Sequence, residues 1–405
     1  MRFSMRFRAR SAVKCAALLA ATVFLAIGCM HPEQERSIPP LSAAGERVNP
    51  GLGPEAQPLS SGPGYKGSPS WSPHGGRVAF TVDGYVVDRP VGTGEARRWT
   101  TRDFVAEDAE WTSEDRLAIL GAASGAVPAD GASVYSARSG DESLAVREVV
   151  NKVLAMSRGP GEDGLIVAFR TGPGKSGLAL LRDNGAVDQV YTSTVGGSIT
   201  GLSLSPDGRS VALAARTTAD TFELHTFDLM AGVHRRIALL DRGLEIFGAP
   251  QWTKKGICYV VGKEATSIDG GTAPLYDLYS ITPGSGDPPE PTPGVGEDFV
   301  ASSIRVSPDG GRLAVIGRLN PNSPVNLYVL DLAAQDLEAV TTNEDMEIKT
   351  GPDDLAWSPG GDSVAIVARG ALSDEPRVRA APKRALLEDF YNLYEIPVGD
   401  RGAAR

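Results

Sequence analysis

Short apolar runs recur along most of the chain, and each follows a polar turn built from Ser, Pro, Asp and Gly. Val78–Thr81 follows one such turn, and Leu313–Ile316 follows another. Proline holds φ at about −65° at one corner of the turn, and Asp-Gly supplies the positive φ that a tight hairpin requires. The pattern therefore predicts short β-strands joined by hairpins.

The unit occurs seven times, with one apolar residue directly before the Ser or Thr of each turn. We call this apolar residue the marker residue. The marker residues are Trp71, Trp111, Met156, Leu204, Trp252, Val306 and Trp357. Neighbouring marker residues are 40 to 54 residues apart, a spacing that fits four short strands per repeat and is typical of propeller blades.

The two ends of the repeat region complement each other. Three predicted strands follow Trp357, the last over residues 393–398, whereas one additional strand, Gln57–Ser60, precedes the first repeat. We therefore expect an all-β fold, a seven-bladed β-propeller over residues 56–398 with four-stranded antiparallel blades. The N-terminal strand closes the last blade and so removes an exposed sheet edge.

The repeated Trp- or apolar-Ser-Pro-Asp-Gly turns resemble those of the TolB-like and WD40-like propellers of bacterial envelopes. The resemblance covers residues 57–398. It implies the propeller fold and a role as a protein- or ligand-binding scaffold in the cell envelope. TolB proteins also carry an N-terminal α/β domain that contacts partners, and this sequence shows no counterpart, so the resemblance does not extend to TolB's own complex.

The first 28 residues have the pattern of an export signal. Five basic residues and no acidic ones lie within residues 1–14, and an apolar run of 13 residues follows over Cys15–Ile27. This run is too short for a bilayer, which needs about 20 residues, but it suits the apolar core of a signal peptide. The start is Met1 or Met5, because Met-Arg-Phe occurs at both positions.

Cys29 follows small residues at Ala26 and Gly28, and this arrangement resembles the lipobox of bacterial lipoproteins, in which the Cys is acylated. We expect a signal peptide over residues 1–28, a lipid on Cys29 and a membrane-anchored protein on the extracytoplasmic side. The alternatives are ordinary cleavage to a secreted or periplasmic protein and an uncleaved membrane anchor. Residues 29–55 are predicted to form a flexible tether, and residues 399–405 a tail.

The charge balance limits the class of partner. The chain carries 40 basic and 50 acidic residues, a formal net charge of −10. Binding of nucleic acid needs a basic face, so this balance argues against a nucleic-acid partner. We expect a monomeric propeller whose partner is an envelope protein or peptide.

The sequence contains no familiar catalytic motif. A Gly-x-Ser-x-Gly elbow and a phosphate-binding P-loop are both absent, and no two histidines have metal-ligand spacing. Cys258 falls on a buried strand, where it is expected to act as a small hydrophobic residue. We therefore expect no enzymatic activity, no metal and no cofactor. The alternatives are a lyase or hydrolase whose carboxylates converge in the channel, and a ligand-sensing ectodomain.

Acidic residues cluster in the loops that lead into the first strand of several repeats. We call them the acidic set: Asp103, Glu107, Asp108, Glu245, Glu297, Asp298, Asp353 and Asp354. In a propeller these loops share one face, so the set predicts a recognition surface for a cationic peptide, a sugar or a hard cation such as Ca²⁺. The alternative is that they are ordinary turn acids and hairpin caps.

A long insertion, residues 368–390, separates two strands of the last repeat. It carries four basic residues, which we call the basic loop: Arg377, Arg379, Lys383 and Arg384. This charge predicts docking on anionic lipid or on an acidic partner. A solvated loop is the alternative.

Overall fold

The computed structural model describes residues 52–53, 55–60, 64–92, 94–101, 104–123, 132–139, 147–158, 164–182, 184, 186–193, 197–266, 272–343, 347–369 and 391–399. Within these ranges the chain forms β-strands and no α-helix, as the hairpin pattern predicts. Cys29 and the whole basic loop lie outside the described residues, as does Asp103 of the acidic set.

The strands are short and follow one another closely along the chain. They are β1 (Gln57–Pro58), β2 (Lys66–Trp71), β3 (Arg77–Val82), β4 (Tyr85–Pro90), β5 (Arg97–Arg98), β6 (Phe104–Ser113), β7 (Arg116–Ala123), β8 (Ala132–Arg138), β9 (Arg147–Arg158), β10 (Leu165–Gly172), β11 (Lys175–Leu181), β12 (Val187–Ser193), β13 (Gly197–Leu204), β14 (Ser210–Thr217), β15 (Phe222–Asp228), β16 (Val233–Leu239), β17 (Leu244–Thr253), β18 (Gly256–Thr266), β19 (Thr272–Ile281), β20 (Glu290–Pro291), β21 (Val300–Val306), β22 (Arg312–Arg318), β23 (Asn326–Asp331), β24 (Asp336–Ala339), β25 (Leu355–Trp357), β26 (Ser363–Arg369) and β27 (Tyr391–Pro397).

The described strands form six antiparallel sheets. Four of them are four-stranded meanders in chain order, β2 to β5, β13 to β16, β17 to β20 and β21 to β24. A fifth has the order β1-β27-β26-β25, so the N-terminal strand completes the last sheet as the sequence predicts. Gln57 pairs with Glu395 and Pro58 with Tyr394, and the backbone NH of Leu59 donates to the Leu393 carbonyl at 2.8 Å.

The sixth sheet differs from the prediction of seven separate four-stranded sheets. It has seven strands, β6 to β12, and β9 is shared between two repeats. The first half of β9 pairs with β8, and its second half pairs with β10. The backbone changes register near Lys152, which has a φ of 56°. No Gly or Pro interrupts residues 147–158, so nothing in the sequence ends the outer strand of one repeat before the inner strand of the next.

The Ser-Pro turns have one geometry in the four clear repeats. The Ser backbone pairs with the residue five positions on, for example Ser307 with Arg312, and the Gly NH donates to the Ser carbonyl, as Gly310 does at 2.8 Å. The Gly lies at a φ of 69° to 74° in all four turns, a region that L-residues with a side chain rarely occupy. This is why each turn needs Gly at that position.

The first strand of each repeat contacts the first strands of its neighbours. These inner strands are β2, β6, β9, β13, β17, β21 and β25, and β25 in turn contacts β2. Apolar residues pack between adjacent sheets rather than in one central core; Cys258 and Val260 of β18, for instance, pack against Phe299 and Ile304. The inner strands therefore surround a common axis, and the hydrophobic cores lie between the sheets.

Leu52 is buried in the same apolar cluster as Trp357 and Tyr394. The packed part of the chain therefore includes a residue of the predicted tether.

No helix in the described ranges is long and apolar enough to span a bilayer.

Candidate binding cavity

A cavity of about 370 Å³ lies among the inner strands, and every repeat contributes to its lining. The residues directly before the marker residues form much of its polar wall: Ser70, Glu110, Ser203, Gln251 and Arg305, with Ala356 in the last repeat. The marker residues Trp71, Trp111 and Trp357 are buried, and since side chains alternate along a strand, the side chain before each of them points to the opposite face. Together the inner strands bring five polar side chains, far apart in sequence, to one cavity.

An ion pair lies within this cavity. Nη2 of Arg305 is 2.7 Å from Oδ1 of Asp353, with the arginine side chain 24% exposed and the aspartate 51% exposed. Burial opposes the charge of Arg305, but the carboxylates of Asp353, Glu110 and Asp108 more than offset it and raise the pKa of the guanidinium. Arg305 is therefore a fixed cation surrounded by three acidic groups.

Asp108 differs from Asp353, which bonds to Arg305, and from Glu110, which bonds to Ser70, because no side chain hydrogen-bonds to its carboxylate within the described part of the chain. Its carboxylate accepts a hydrogen bond from the backbone NH of Ala109 at 2.8 Å. Burial, and then repulsion from Asp353 and Glu110, raise the pKa of Asp108 well above its ordinary value. Asp108 thus holds its proton at pH values at which an exposed aspartate has lost it.

Glu110 lies on the same strand, two residues after Asp108. Burial raises the pKa of Glu110, while the hydroxyl of Ser70, which donates to Oε2 at 2.7 Å, and the charges of Arg305 and Arg158 oppose that rise. Arg158 reaches the cavity from β9, where its Nη1 donates to the backbone carbonyl of Trp71 at 3.4 Å. The charged lining thus comprises three carboxylates and two guanidinium groups.

One buried hydroxyl in the cavity wall has no partner among the described residues. Ser203 is 6% exposed, and its Oγ makes no hydrogen bond there. Buried polar groups in proteins are generally hydrogen-bonded, so an exception in a cavity wall points to a ligand or water partner.

The structure divides the acidic set. Asp108 and Asp353 line the cavity, whereas Glu107, Glu245, Glu297 and Asp298 are exposed and do not line it. Asp354 lies beside the cavity but faces Lys349, 3.8 Å away, and burial raises its pKa. These four exposed residues are therefore not part of the cavity, and a recognition surface formed by the acidic set stays a prediction.

Sequence reasoning missed Glu110, Arg158, Ser203, Gln251 and Arg305 as cavity residues. A usable signal is present in the sequence, since four of the five are polar residues that directly precede a marker residue. No group of three or more His, Cys, Asp or Glu side chains is arranged to hold a metal ion in the described ranges.

Cys258 is buried, as its strand position predicts. Burial raises the pKa of its thiol to about 12, against a smaller opposing effect of the Thr292 hydroxyl. His225 is also buried; its Nε2 lies 3.0 Å from Oε2 of Glu223, and its ring stacks on His234 at 4.7 Å. These groups lie away from the cavity and contribute nothing to its chemistry.

Comparison with solved structures shows what the fold is similar to. An oligogalacturonate lyase from Vibrio parahaemolyticus matches with a TM-score of 0.51 and 13% identity, over 85% of this chain and 94% of that one. A puromycin hydrolase mutant matches with a TM-score of 0.53 and 14% identity, over 82% and 52%. TolB from Acinetobacter baumannii matches with a TM-score of 0.42 and 17% identity, over 70% and 64%, so this chain spans less than two thirds of that one. No family model and no curated protein matches the chain.

At these identities the likeness shows the fold alone, which is a β-propeller. The expectation that the chain is not an enzyme was wrong as stated. Both the oligogalacturonate lyase and the puromycin hydrolase are enzymes by name, and each shares the propeller arrangement with most of this chain. The missing catalytic motifs therefore leave enzymatic activity open, because a propeller site assembles from several blades and needs no contiguous motif.

Proposed function

We propose that the chain is a seven-bladed β-propeller that binds a ligand in its central cavity. The observation that carries the proposal is the lining of that cavity, to which one inner strand of each of the seven repeats contributes. A concave site with apolar walls and a few convergent polar groups is the usual form of a ligand site in proteins. The shared strand β9 joins the second and third blades.

We also propose a cellular location for the protein. The apolar run before Cys29 supports export, and the small residues before this Cys support a lipid at the new N-terminus. The propeller then works as a binding scaffold for an envelope protein or peptide on the extracytoplasmic side. Palmitate labelling of the wild type and of Cys29→Ser tests this part: label on the wild type alone supports the anchor, and equal label contradicts it.

Binding in the cavity is tested with a variant that fills it. Ala356 lines the cavity, so Ala356→Leu is expected to reduce its volume while the backbone carbonyl that accepts the Trp71 indole NH stays in place. A panel of amines, sugars, amino acids and short peptides is screened by thermal shift on both proteins. We expect compounds that stabilise the wild type to lose their effect in Ala356→Leu and to keep it in the exposed control Asp241→Asn. Equal stabilisation of all three proteins contradicts the proposal.

A second candidate function is catalysis in the same cavity. The observation that favours it is the pairing of Asp108, whose pKa is raised well above its ordinary value, with Asp353, which stays bonded to Arg305. Two carboxyl groups in different environments are how lyases and hydrolases hold an acid and a base at one pH. Turnover of a neutral compound found in the screen, abolished by Asp108→Asn with binding of that compound retained, distinguishes catalysis from binding alone.

A further inference from the structure

The charged groups that line the central cavity differ in the ion pairs and hydrogen bonds that they make. Asp353 bonds to Arg305 at 2.7 Å, Glu110 accepts the Ser70 hydroxyl at 2.7 Å, and Arg158 donates to a backbone carbonyl. Asp108 meets no cation by direct contact within the described residues. With three carboxylates against two guanidinium groups, the lining carries one excess negative charge when all of them are ionised.

Two features of the wall point to the kind of group that corrects this imbalance. The unpartnered hydroxyl of Ser203 offers a hydrogen-bond acceptor in the same cavity. Met156, Leu204 and Trp252 also line it, and such side chains pack well against a methylene chain. An indole ring additionally attracts a nearby cation through its π face.

Resting on the proposed function, we propose that this cavity binds an organic cation, an alkylammonium or guanidinium group, whose charge meets Asp108 and Glu110 and whose N–H groups donate to Ser203. An anionic group is disfavoured there because it would meet three carboxylates, while Arg305 is already bonded to Asp353. The cation comes either from a basic side chain of a peptide or from a free amine, since both present the same chemistry.

Binding of such a cation displaces a proton. The groups that face Asp108 are Glu110 on its own strand, Asp353 before β25 and Arg305 on β21. The first two disfavour ionisation of Asp108, and an added cation favours it, so cation binding and proton release are coupled. Affinity for the cation is therefore expected to rise with pH through the titration of Asp108.

The test compares a cation with a neutral molecule of the same shape. N-acetylarginine amide and N-acetylcitrulline amide are titrated into the wild type, Asp108→Asn and the exposed control Asp241→Asn, with 1,5-diaminopentane as a free amine and N-acetylglutamate as an anion. We expect the wild type and Asp241→Asn to bind the arginine amide about tenfold or more tightly than the citrulline amide, and Asp108→Asn to lose most of this preference. Calorimetry in two buffers of different ionisation enthalpy is expected to show proton release in the wild type and much less in Asp108→Asn.

The outcomes separate this inference from the function on which it rests. Equal binding of the arginine and citrulline amides, or tighter binding of N-acetylglutamate, overturns the cation assignment. In either case, the proposed function still holds if Ala356→Leu abolishes binding of these compounds, because they then bind in the cavity. Failure of all four compounds to bind at millimolar concentration overturns the cation assignment. If 1,5-diaminopentane binds more tightly than the arginine amide, the cation assignment is supported and the cation is a free amine. If the arginine amide binds more tightly, the assignment is supported and the cation is a basic side chain of a peptide.

Discussion

The indole NH of Trp357 donates a hydrogen bond to the backbone carbonyl of Arg305 across 2.8 Å, from one sheet to the next. The same contact recurs around the ring: Trp71 donates to Ala356 at 3.3 Å, and Trp111 to Ser70 at 3.1 Å. In each case the acceptor is the residue directly before a marker residue, the position whose side chain lines the cavity. The tryptophans thus join neighbouring sheets at the backbone that carries the cavity wall.

Removal of one such contact is expected to weaken the ring. Trp357→Phe keeps an aromatic ring but deletes the NH, and we expect it to lower the free energy of unfolding by about 1–2 kcal/mol, because a buried carbonyl loses its donor. Urea unfolding followed by circular dichroism measures this change. Trp99→Phe is the matched control, since the Trp99 indole is also buried but its NH donates no hydrogen bond to the described residues. Equal losses in the two variants would show that ring packing, not the hydrogen bond, is what matters.

A buried serine two residues after β1 helps to hold the two ends of the repeat region together. The hydroxyl of Ser60 accepts the backbone NH of Leu393 at 2.8 Å and donates to Asn392 at 3.3 Å. Ser60→Ala leaves that NH without its acceptor, and we expect a loss of about 1–3 kcal/mol in the free energy of unfolding. Ser285→Ala, in an exposed turn, serves as the control and should change stability little. An unchanged unfolding midpoint in Ser60→Ala would argue against closure through this strand.

Asp108 is expected to make stability fall as pH rises. Its pKa is raised in the folded protein, so the folded state holds this proton more tightly than the unfolded state and loses the advantage as pH rises through the raised value. Asp108→Asn mimics the protonated form. We therefore expect it to raise the melting temperature at pH 7 and to match the wild type at pH values below the ordinary pKa of aspartate. A lower melting temperature at pH 7 would mean that the ionised carboxylate stabilises the fold.

Asp309 is expected to show the opposite dependence on pH. The Ser307 hydroxyl donates to its Oδ1 at 2.6 Å and, as the largest effect, lowers its pKa. A lowered pKa contributes stability above the ordinary pKa of aspartate, and this contribution is lost as pH falls through the lowered value. Asp309→Asn should therefore reduce the melting temperature at pH 7 and have little effect in strong acid. A reduction of equal size at both pH values would assign the effect to lost geometry rather than charge.

Cys258 should be chemically inert in the folded protein. Burial raises the pKa of its thiol to about 12, and the thiolate is the reactive form. We expect alkylation by iodoacetamide at pH 8 to be at least about a hundredfold slower in the native protein than in urea. Peptide mass spectrometry at Cys258 gives both rates. Fast labelling in the native state would show that the β18 region opens readily.

Much of the fold follows from local signals. The Ser-Pro turns identify the hairpins because Gly310 and its counterparts need positive φ. The marker residues indicate the inner strands because a buried Trp, such as Trp357, requires a partner sheet. The pairing of Gln57 with Glu395 is also predictable, since the last repeat is one strand short. The fusion of two repeats through β9 is harder to predict, because it results from the lack of a turn signal within residues 147–158 rather than from a signal that the sequence contains.

The cavity follows from the sequence less directly. Glu110 and Arg305 are 195 positions apart, and nothing local indicates that ring closure brings both to one wall. Acids in loops are easier to notice, yet Glu297 and Asp298 remain on the surface. The useful rule is positional: in six of the seven repeats the residue directly before the marker residue lines the cavity, whatever its type.

The most direct test of the central claim is a crystal structure of the protein with the arginine amide or with the best compound from the screen. The account predicts ligand density inside the ring of inner strands, in contact with Asp108 and within hydrogen-bond distance of the Ser203 hydroxyl. Density for the ligand only on the outer strands or loops, with the cavity unchanged, would contradict it.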